Sequence, residues 1–453
     1  MSIKRVLVAN RGEIAVRVIK ACKALGIESV VAVSKADLES AAAHLADRAV
    51  CIGPARASES YLNQNALLAA AVGTKADAIH PGYGFLAENP RFVKSCEDEG
   101  ITFIGPSSES VETMGNKLAA RELAQSYGVP IVPGSPKVKG IKEAQETAKE
   151  IGFPLLFKAA AGGGGRGIRI VNEPSELQGA FQNASAEAEA AFGDSTLYME
   201  RYVVSARHIE IQVFGDSHGN AIHLGERDCS MQRRYQKIIE EAPGVMVPEK
   251  TREKIRAAAV ALVKGISYRN AGTVEFIYDI ERDEFYFLEM NTRIQVEHPV
   301  TEMITGVDLV QLQLKVASGE PLGYSQSDIS FSGHAIECRI NAESPARSFH
   351  PSPGRITKWR PPEMEGLRLD SHCFSGYMVP PFYDSLLAKM IIGGKDRTEA
   401  LQKTREALSR FEVEGIETNI SFLSFLTNNP DFESGNYNTR WVEKNIDQFM
   451  PVG

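Results

Sequence analysis

Between Glu289 and Glu297 every second residue is polar: Glu289, Asn291, Arg293, Gln295 and Glu297 alternate with Met290, Thr292, Ile294 and Val296. In an extended chain this alternation sets the polar groups on one face. A solvated strand face alternates in the same way. This set, however, combines two carboxylates, two amides and a guanidinium, which together can hold a metal ion and a small oxyanion.

The preceding residues extend the pattern. Segments 271–278 and 284–291 read as strands, and the charged stretch 279–283 reads as the hairpin loop between them. A hairpin symmetric about Arg282 sets Glu275 opposite Glu289, Thr273 opposite Asn291, Val274 opposite Met290, and Phe276 opposite Leu288 on the buried side. Two carboxylates opposed in this way, with bases roughly 5 Å apart, repel each other and weaken the sheet. A divalent cation reverses that sign. Glu275, Glu289 and Asn291 offer oxygen alone, without clustered His or Cys, which favours magnesium or manganese over zinc.

The elements that must position these groups fall into three blocks. In residues 1–113 an apolar run at 6–9 precedes a helix with Ile14, Val18, Ala21, Cys22 and Leu25 on one face. Further strand candidates lie at 29–33, 49–52, 78–80 and 102–104, an order that predicts an open, mostly parallel α/β sheet. The first strand runs into NRGEIA at 10–15, without the glycine triplet of a dinucleotide site, which argues against a nicotinamide-dependent oxidoreductase. The run HPGYGFLAEN at 80–89 follows a strand and is either a ligand loop or a tight turn.

The second block starts near Met114 with a helix ending at Gly128. A strand at 153–158 leads into the glycine-rich run 159–167, and 168–171 alternates like a returning strand, so a glycine-tipped hairpin fits better than a phosphate-binding turn before a helix. Its amides could close over a polyphosphate, with Lys117 and Lys158 as point charges; a flexible surface loop is the alternative. Strands are expected at 198–204 and 208–214, and the dense charge run 226–241 is expected to be a solvated loop. From Ser332 the third block begins. Residues 333–341 alternate, leaving Glu337 and Arg339 on one side, and Asp396 and Glu399 have capping-box spacing at the start of a helix with Leu401, Thr404, Leu408 and Phe411 inward.

With 453 residues and 43% hydrophobic content, roughly three globular domains are expected. The net charge of −8 is spread along the chain, which argues against nucleic-acid or acidic-membrane partners. The apolar run near Met1 is too short for a signal peptide, and no stretch approaches ~18 apolar residues, so a cytoplasmic protein without membrane spans is expected. The six cysteines form no Cys-x-x-Cys pair, which argues against a disulfide framework or structural zinc.

Taken in order, NRGEIA at 10–15, HPGYGF at 80–85, Lys158 with its glycine loop, ERDCSMQRR at 226–234, EMNTRIQVEHP at 289–299 and ECRIN at 337–341 resemble the biotin carboxylase subunits of biotin-dependent carboxylases. The resemblance runs from about residue 4 to about residue 420. It implies an ATP-grasp ligase with an N-terminal open parallel α/β domain (1–113), an ATP-grasp domain (114–331) whose mobile glycine-loop lid covers about 132–203, and a C-terminal α+β domain (332–453). It also implies roles. Lys117 and Lys158 contact phosphate; Gly164 and Gly165 form the lid loop; Glu200, Arg201, Tyr202 and Val203 lie on the adenine side; His208, Gln232 and Tyr235 serve the nucleotide. Glu275, Glu289 and Asn291 hold magnesium or manganese, as two ions. Lys237, Arg293, Gln295 and the Val296 amide bind bicarbonate, Glu297 is the base, and Arg339 stabilises the biotin enolate. The implied reaction is ATP- and bicarbonate-dependent carboxylation of biotin through carboxyphosphate, the first half-reaction of an acyl-CoA or pyruvate carboxylase. Biotin is expected on a separate carrier protein, the carboxyltransferase on another chain, and the enzyme as a homodimer. Tyr235 departs from the histidine usual there, and Ala160 and Ala161 replace a serine and a glycine of the loop, which stiffens it slightly. Another ATP-grasp ligase is the rival enzyme. A catalytically dead subunit is disfavoured by the intact Lys237, Glu275, Glu289, Arg293, Glu297 and Arg339.

Overall fold

The computed structural model describes residues 3–449 apart from 136, 139 and 160–167. Strands β1 (Arg5–Val8), β2 (Glu28–Ser34), β3 (Arg48–Gly53), β4 (Ala78–His80) and β5 (Thr102–Phe103) form a parallel sheet in the order β3-β2-β1-β4-β5. Val6 and Val8 pack on one face with Ile14 and Val18 of the helix Gly12–Ala24, while Leu7 packs on the other with Tyr61 and Phe92. Burial on both faces is why β1 and β2 read as unbroken apolar runs, whereas the edge strand β3 is largely exposed. The strand order reverses between β1 and β4, and in such sheets the loops beyond the carboxyl ends at the reversal form a crevice. The loops after β1 and β4 are joined there: the Asn10 amide donates to the carbonyls of Pro81 (2.6 Å) and Tyr83 (2.7 Å).

A small antiparallel sheet follows, with β6 (Leu155–Ala159) between β7 (Arg169–Val171) and β8 (Leu197–Arg201). It has its own core, in which Phe157, Val171 and Met199 meet Ala144 and Ala184 from two helices. The glycine run at 160–167, with Gly164, Gly165, Ala160 and Ala161, lies outside the described residues.

The largest sheet has eight strands. Within it β9 (Ala206–Gly215), β10 (Ala221–Arg233), β11 (Gln236–Ala242), β12 (Asn270–Asp279), β13 (Glu284–Asn291) and β14 (His334–Asn341) run in the order β13-β12-β9-β10-β11-β14, followed by Leu386–Gly394 and Leu367–Ser371. Pairing of β11 with β14 carries this sheet across residue 331 without a break, Glu240 lying opposite Glu337.

Two expectations are corrected here. The charge run 226–241 is not a solvated loop; apart from a turn it is β10 and β11, with Glu226, Arg227, Asp228, Glu240 and Glu241 all buried. Each is paired: Arg207 with Asp228, Arg227 with Glu210, Arg252 and Arg256 with Glu226, Arg339 with Glu240, and Arg397 with Glu241. Pairing of this kind is what makes burial of so many charges tolerable. The hairpin register holds for Thr273–Asn291, Val274–Met290 and Glu275–Glu289, but a bulge then sets Phe276 opposite Phe287 in place of Leu288. The helix Arg397–Arg410 is capped by Asp396, whose carboxylate accepts from the Glu399 amide at 2.9 Å, while the Glu399 carboxylate accepts from the Lys395 amide (3.1 Å) and not, as the capping-box spacing predicts, from that of Asp396; Leu401, Thr404, Leu408 and Phe411 are buried.

Candidate active site

The polar face read between Glu289 and Glu297 is not one strand. β13 stops at Asn291, and residues 292–297 form a loop into the helix His298–Thr305. Three anchors impose that path. Glu88 accepts from the Thr292 amide (3.1 Å) and from Arg293 Nε (2.9 Å), Ile294 is fully buried, and Lys389 Nζ donates to the Val296 carbonyl (2.9 Å). Pro299 then opens the helix, where its fixed φ suits the first turn.

The loop brings the predicted groups together at the middle of the large sheet. Lys237 Nζ on β11 donates to Glu210 (2.6 Å), Glu275 (3.0 Å) and Glu297 (2.6 Å). Arg339 on β14 donates to the other oxygen of Glu297 at 2.9 Å and is held by Glu240 at 2.6 Å. Arg293 donates to Gln295 (2.7 Å) and Asn291 (3.0 Å), and both Gln295 (3.0 Å) and Asn291 (2.9 Å) donate to Glu275. Glu297 is completely buried; burial alone would raise its pKa, but Lys237, Arg339 and Arg227 together hold it well below the usual carboxylate range.

The opposed carboxylates differ in the same way. Burial raises Glu275, yet Lys237 and His208, whose Nε2 lies 2.9 Å away, outweigh it and keep the group strongly acidic. Glu289 is raised by burial and then by Glu275, its nearest cation being Lys117 at 3.9 Å. Glu289 is thus the carboxylate left short of positive charge, and with Glu275 and the Asn291 amide oxygen, which here accepts from Arg293, it could hold a divalent cation of the magnesium or manganese type.

The residues expected around the nucleotide are arranged less uniformly. Lys158 on β6 pairs with Glu200 on β8, which also pairs with Arg121 of the helix Lys117–Ser126. Arg201 turns to Tyr286 and Glu284, the Tyr202 hydroxyl accepts from Arg440 (2.8 Å), and Val203 is buried. Gln232 is buried, and Tyr235 stands 78% exposed at the β10–β11 turn with φ of +64°. Sequence reasoning missed Glu88, Arg121, Glu210, Arg227, Glu240 and Lys389. Glu88 was legible as the one acid in the loop after β4; Glu240 lay in a run read as solvated; Lys389 is a single lysine within the apolar run 386–392, with no local signal of a role.

Comparison with known proteins covers nearly the whole chain. Residues 2–111 match the family model described as biotin carboxylase, N-terminal domain; 116–325 match the ATP binding domain of carbamoyl-phosphate synthase L chain; and 337–444 match the biotin carboxylase C-terminal domain. Biotin carboxylase 1 of Bacillus subtilis is 51% identical over 442 residues, covering 97% of this chain and 98% of that protein. The chain belongs to the biotin carboxylase family. The biotin carboxylase of Pseudomonas aeruginosa is 50% identical over 446 residues, covering 98% of this chain and 99% of that protein. Among solved structures, the biotin carboxylase domain dimer of Hydrogenobacter thermophilus 2-oxoglutarate carboxylase, in complex with MgADP, ADP and bicarbonate, is 47% identical with a TM-score of 0.91 over the full length of both chains. As a biotin carboxylase family member, the chain has the mixed α/β architecture of an ATP-grasp ligase flanked by N- and C-terminal domains.

Proposed function

We propose that this chain carboxylates biotin, borne on a separate carrier protein, at the expense of ATP and bicarbonate. The observation that carries the reading is Glu297, a fully buried, ionised carboxylate held between Lys237 and Arg339. In the division proposed, residues 1–113 close one side of the site, 114–331 bind ATP beneath a lid at about 132–203, and 332–453 contribute Arg339.

Bicarbonate is a weak nucleophile until it loses its remaining proton, and Glu297 is the acceptor at hand. Lys237 and Arg339 depress its basicity; an incoming anion shares those cations, loosening their hold so that the carboxylate can take the proton. Lys237, Arg293, Gln295 and the Val296 amide then orient the dianion, whose oxygen attacks the γ-phosphorus while ADP leaves, giving carboxyphosphate. Lys117 and Lys158 neutralise phosphate charge, and Glu200, Arg201, Tyr202, Val203, His208, Gln232 and Tyr235, with Gly164 and Gly165 of the lid, bound the nucleotide. Magnesium or manganese held by Glu275, Glu289 and Asn291, as two ions, would neutralise phosphoryl charge when bound. Carboxyphosphate breaks into carbon dioxide and phosphate. Phosphate takes the ureido N–H proton of biotin, Arg339 donates to the ureido oxygen, and the nitrogen adds to carbon dioxide.

The Ala388-Lys-Met390 sequence is no attachment site for biotin, since Lys389 is completely buried and paired with Glu13. A separate carrier and a carboxyltransferase, which selects an acyl-CoA, pyruvate or another acceptor, are the proposed partners, and a homodimer is the proposed assembly. A cytoplasmic setting is part of the proposal; no described helix is long and apolar enough to cross a membrane. The test is parallel measurement of ADP and carboxybiotin with free biotin as acceptor. ADP formation should require divalent metal and bicarbonate together and be accompanied by carboxybiotin; bicarbonate-independent ATP cleavage without carboxybiotin would refute the reading.

A further inference from the structure

The NRGEIA and HPGYGFLAEN runs lie outside the groups assigned above, yet both reach the loop 292–297 from the N-terminal sheet. Glu88 holds one end, through the Thr292 amide and Arg293. The other end is reached through a relay. Glu13, at the start of the helix Gly12–Ala24, pairs with Lys389 at 3.1 Å and accepts a hydrogen bond from the Tyr83 hydroxyl. Lys389 Nζ, on the strand Leu386–Gly394, in turn donates to the Val296 carbonyl at 2.9 Å. Both charged groups are buried, Glu13 at 2% and Lys389 at 0% exposure, and Asp370 is the next acid to Lys389, at 4.0 Å.

We propose that Lys389, seated on Glu13, is a positioning residue for the bicarbonate subsite: it fixes the Val296 peptide, and with it the neighbouring Gln295 and Glu297 side chains. The inference rests on the reading of loop 292–297 as that subsite. A peptide plane is rigid, so a bond to the Val296 carbonyl fixes the plane that leads directly into Glu297. An ammonium buried at that depth needs an acid to offset its charge, and Glu13 is the nearer of the two beside it, so the position of Val296 depends on a residue of the N-terminal domain. Tyr83 also lines a cavity of about 230 Å³ with Asn10, Phe382, Tyr383 and Asp384, so the relay begins at a cavity wall.

The test is steady-state kinetics of Lys389→Met and Glu13→Gln in the full chain, varying bicarbonate and ATP separately. Wild-type bicarbonate dependence is measured alongside; if it is missing, the functional reading fails and not the relay. With that dependence present, Lys389→Met should raise the KM for bicarbonate about 10-fold or more while the KM for ATP moves less than about twofold, since a misplaced orienting group costs up to about 100-fold. Glu13→Gln should show the same split at smaller size. Equal rises in both KM values, or an unchanged KM for bicarbonate, would overturn the proposal and leave the pair a structural one. If Lys389→Met does not fold, Glu13→Gln, which keeps shape and hydrogen-bonding capacity, is decided by the same criterion.

Discussion

Replacing Glu297 by glutamine separates catalysis from folding. The side chain is isosteric, and the cations that lose a partner each keep another: Lys237 retains Glu210 and Glu275, and Arg339 retains Glu240. No buried charge is orphaned, so the stability cost should stay well under the ~3–5 kcal/mol of a broken buried pair. Catalysis loses its proton acceptor, worth about 10²–10⁴ in rate, or roughly 3–5 kcal/mol in the barrier. Arg339→Ala fails differently. It leaves Glu297 with Lys237 and Arg227 nearby, so carboxyphosphate can still form and decay, while the biotin enolate goes unstabilised. The assay is phosphate release and carboxybiotin formation side by side at saturating ATP, metal and bicarbonate, with thermal unfolding as the check on folding. Glu297→Gln should lose both activities. Arg339→Ala should keep slow bicarbonate-dependent phosphate release and lose carboxybiotin. Wild-type phosphate release in Glu297→Gln, or full coupling in Arg339→Ala, would refute the assigned roles.

Glu289→Gln removes the carboxylate short of positive charge, and should lose at least ~2 kcal/mol of transition-state stabilisation with a raised requirement for metal; a magnesium titration of ADP formation checks this, near-normal turnover at saturating metal being the contrary result. Glu241 provides a pH test remote from the chemistry: burial raises its pKa, but His334 and Arg397 bring it down to about 2. A carboxylate whose folded pKa lies below its unfolded value contributes stability above the unfolded value, here about 3 kcal/mol, and loses it as pH falls from about 4.5 towards 2. Urea midpoints of wild type and Glu241→Gln should therefore differ at pH 7 and converge over that window; a constant difference would contradict the assignment.

Local pattern determined much of this protein. The β12–β13 register from Thr273 to Glu275 followed from alternation, because a one-residue slip would exchange the polar and apolar faces, whereas the bulge that sets Phe276 opposite Phe287 left no mark in the pattern. The parallel sheet followed from apolar runs buried on both faces, and the Asp396 cap from a bond between near neighbours. What sequence could not decide was any property set by residues far apart in the chain. The run 226–241 has the composition of a solvated loop, and only partners such as Arg207, Arg397 and Arg339 make it the interior of a sheet. Glu297 is a carboxylate like many others until Lys237 and Arg339 arrive from two other strands and lower its pKa. The path of 292–297 was likewise decided by Glu88 and Lys389, which bind its backbone; a backbone amide or carbonyl carries no mark in sequence of the distant side chain that will satisfy it.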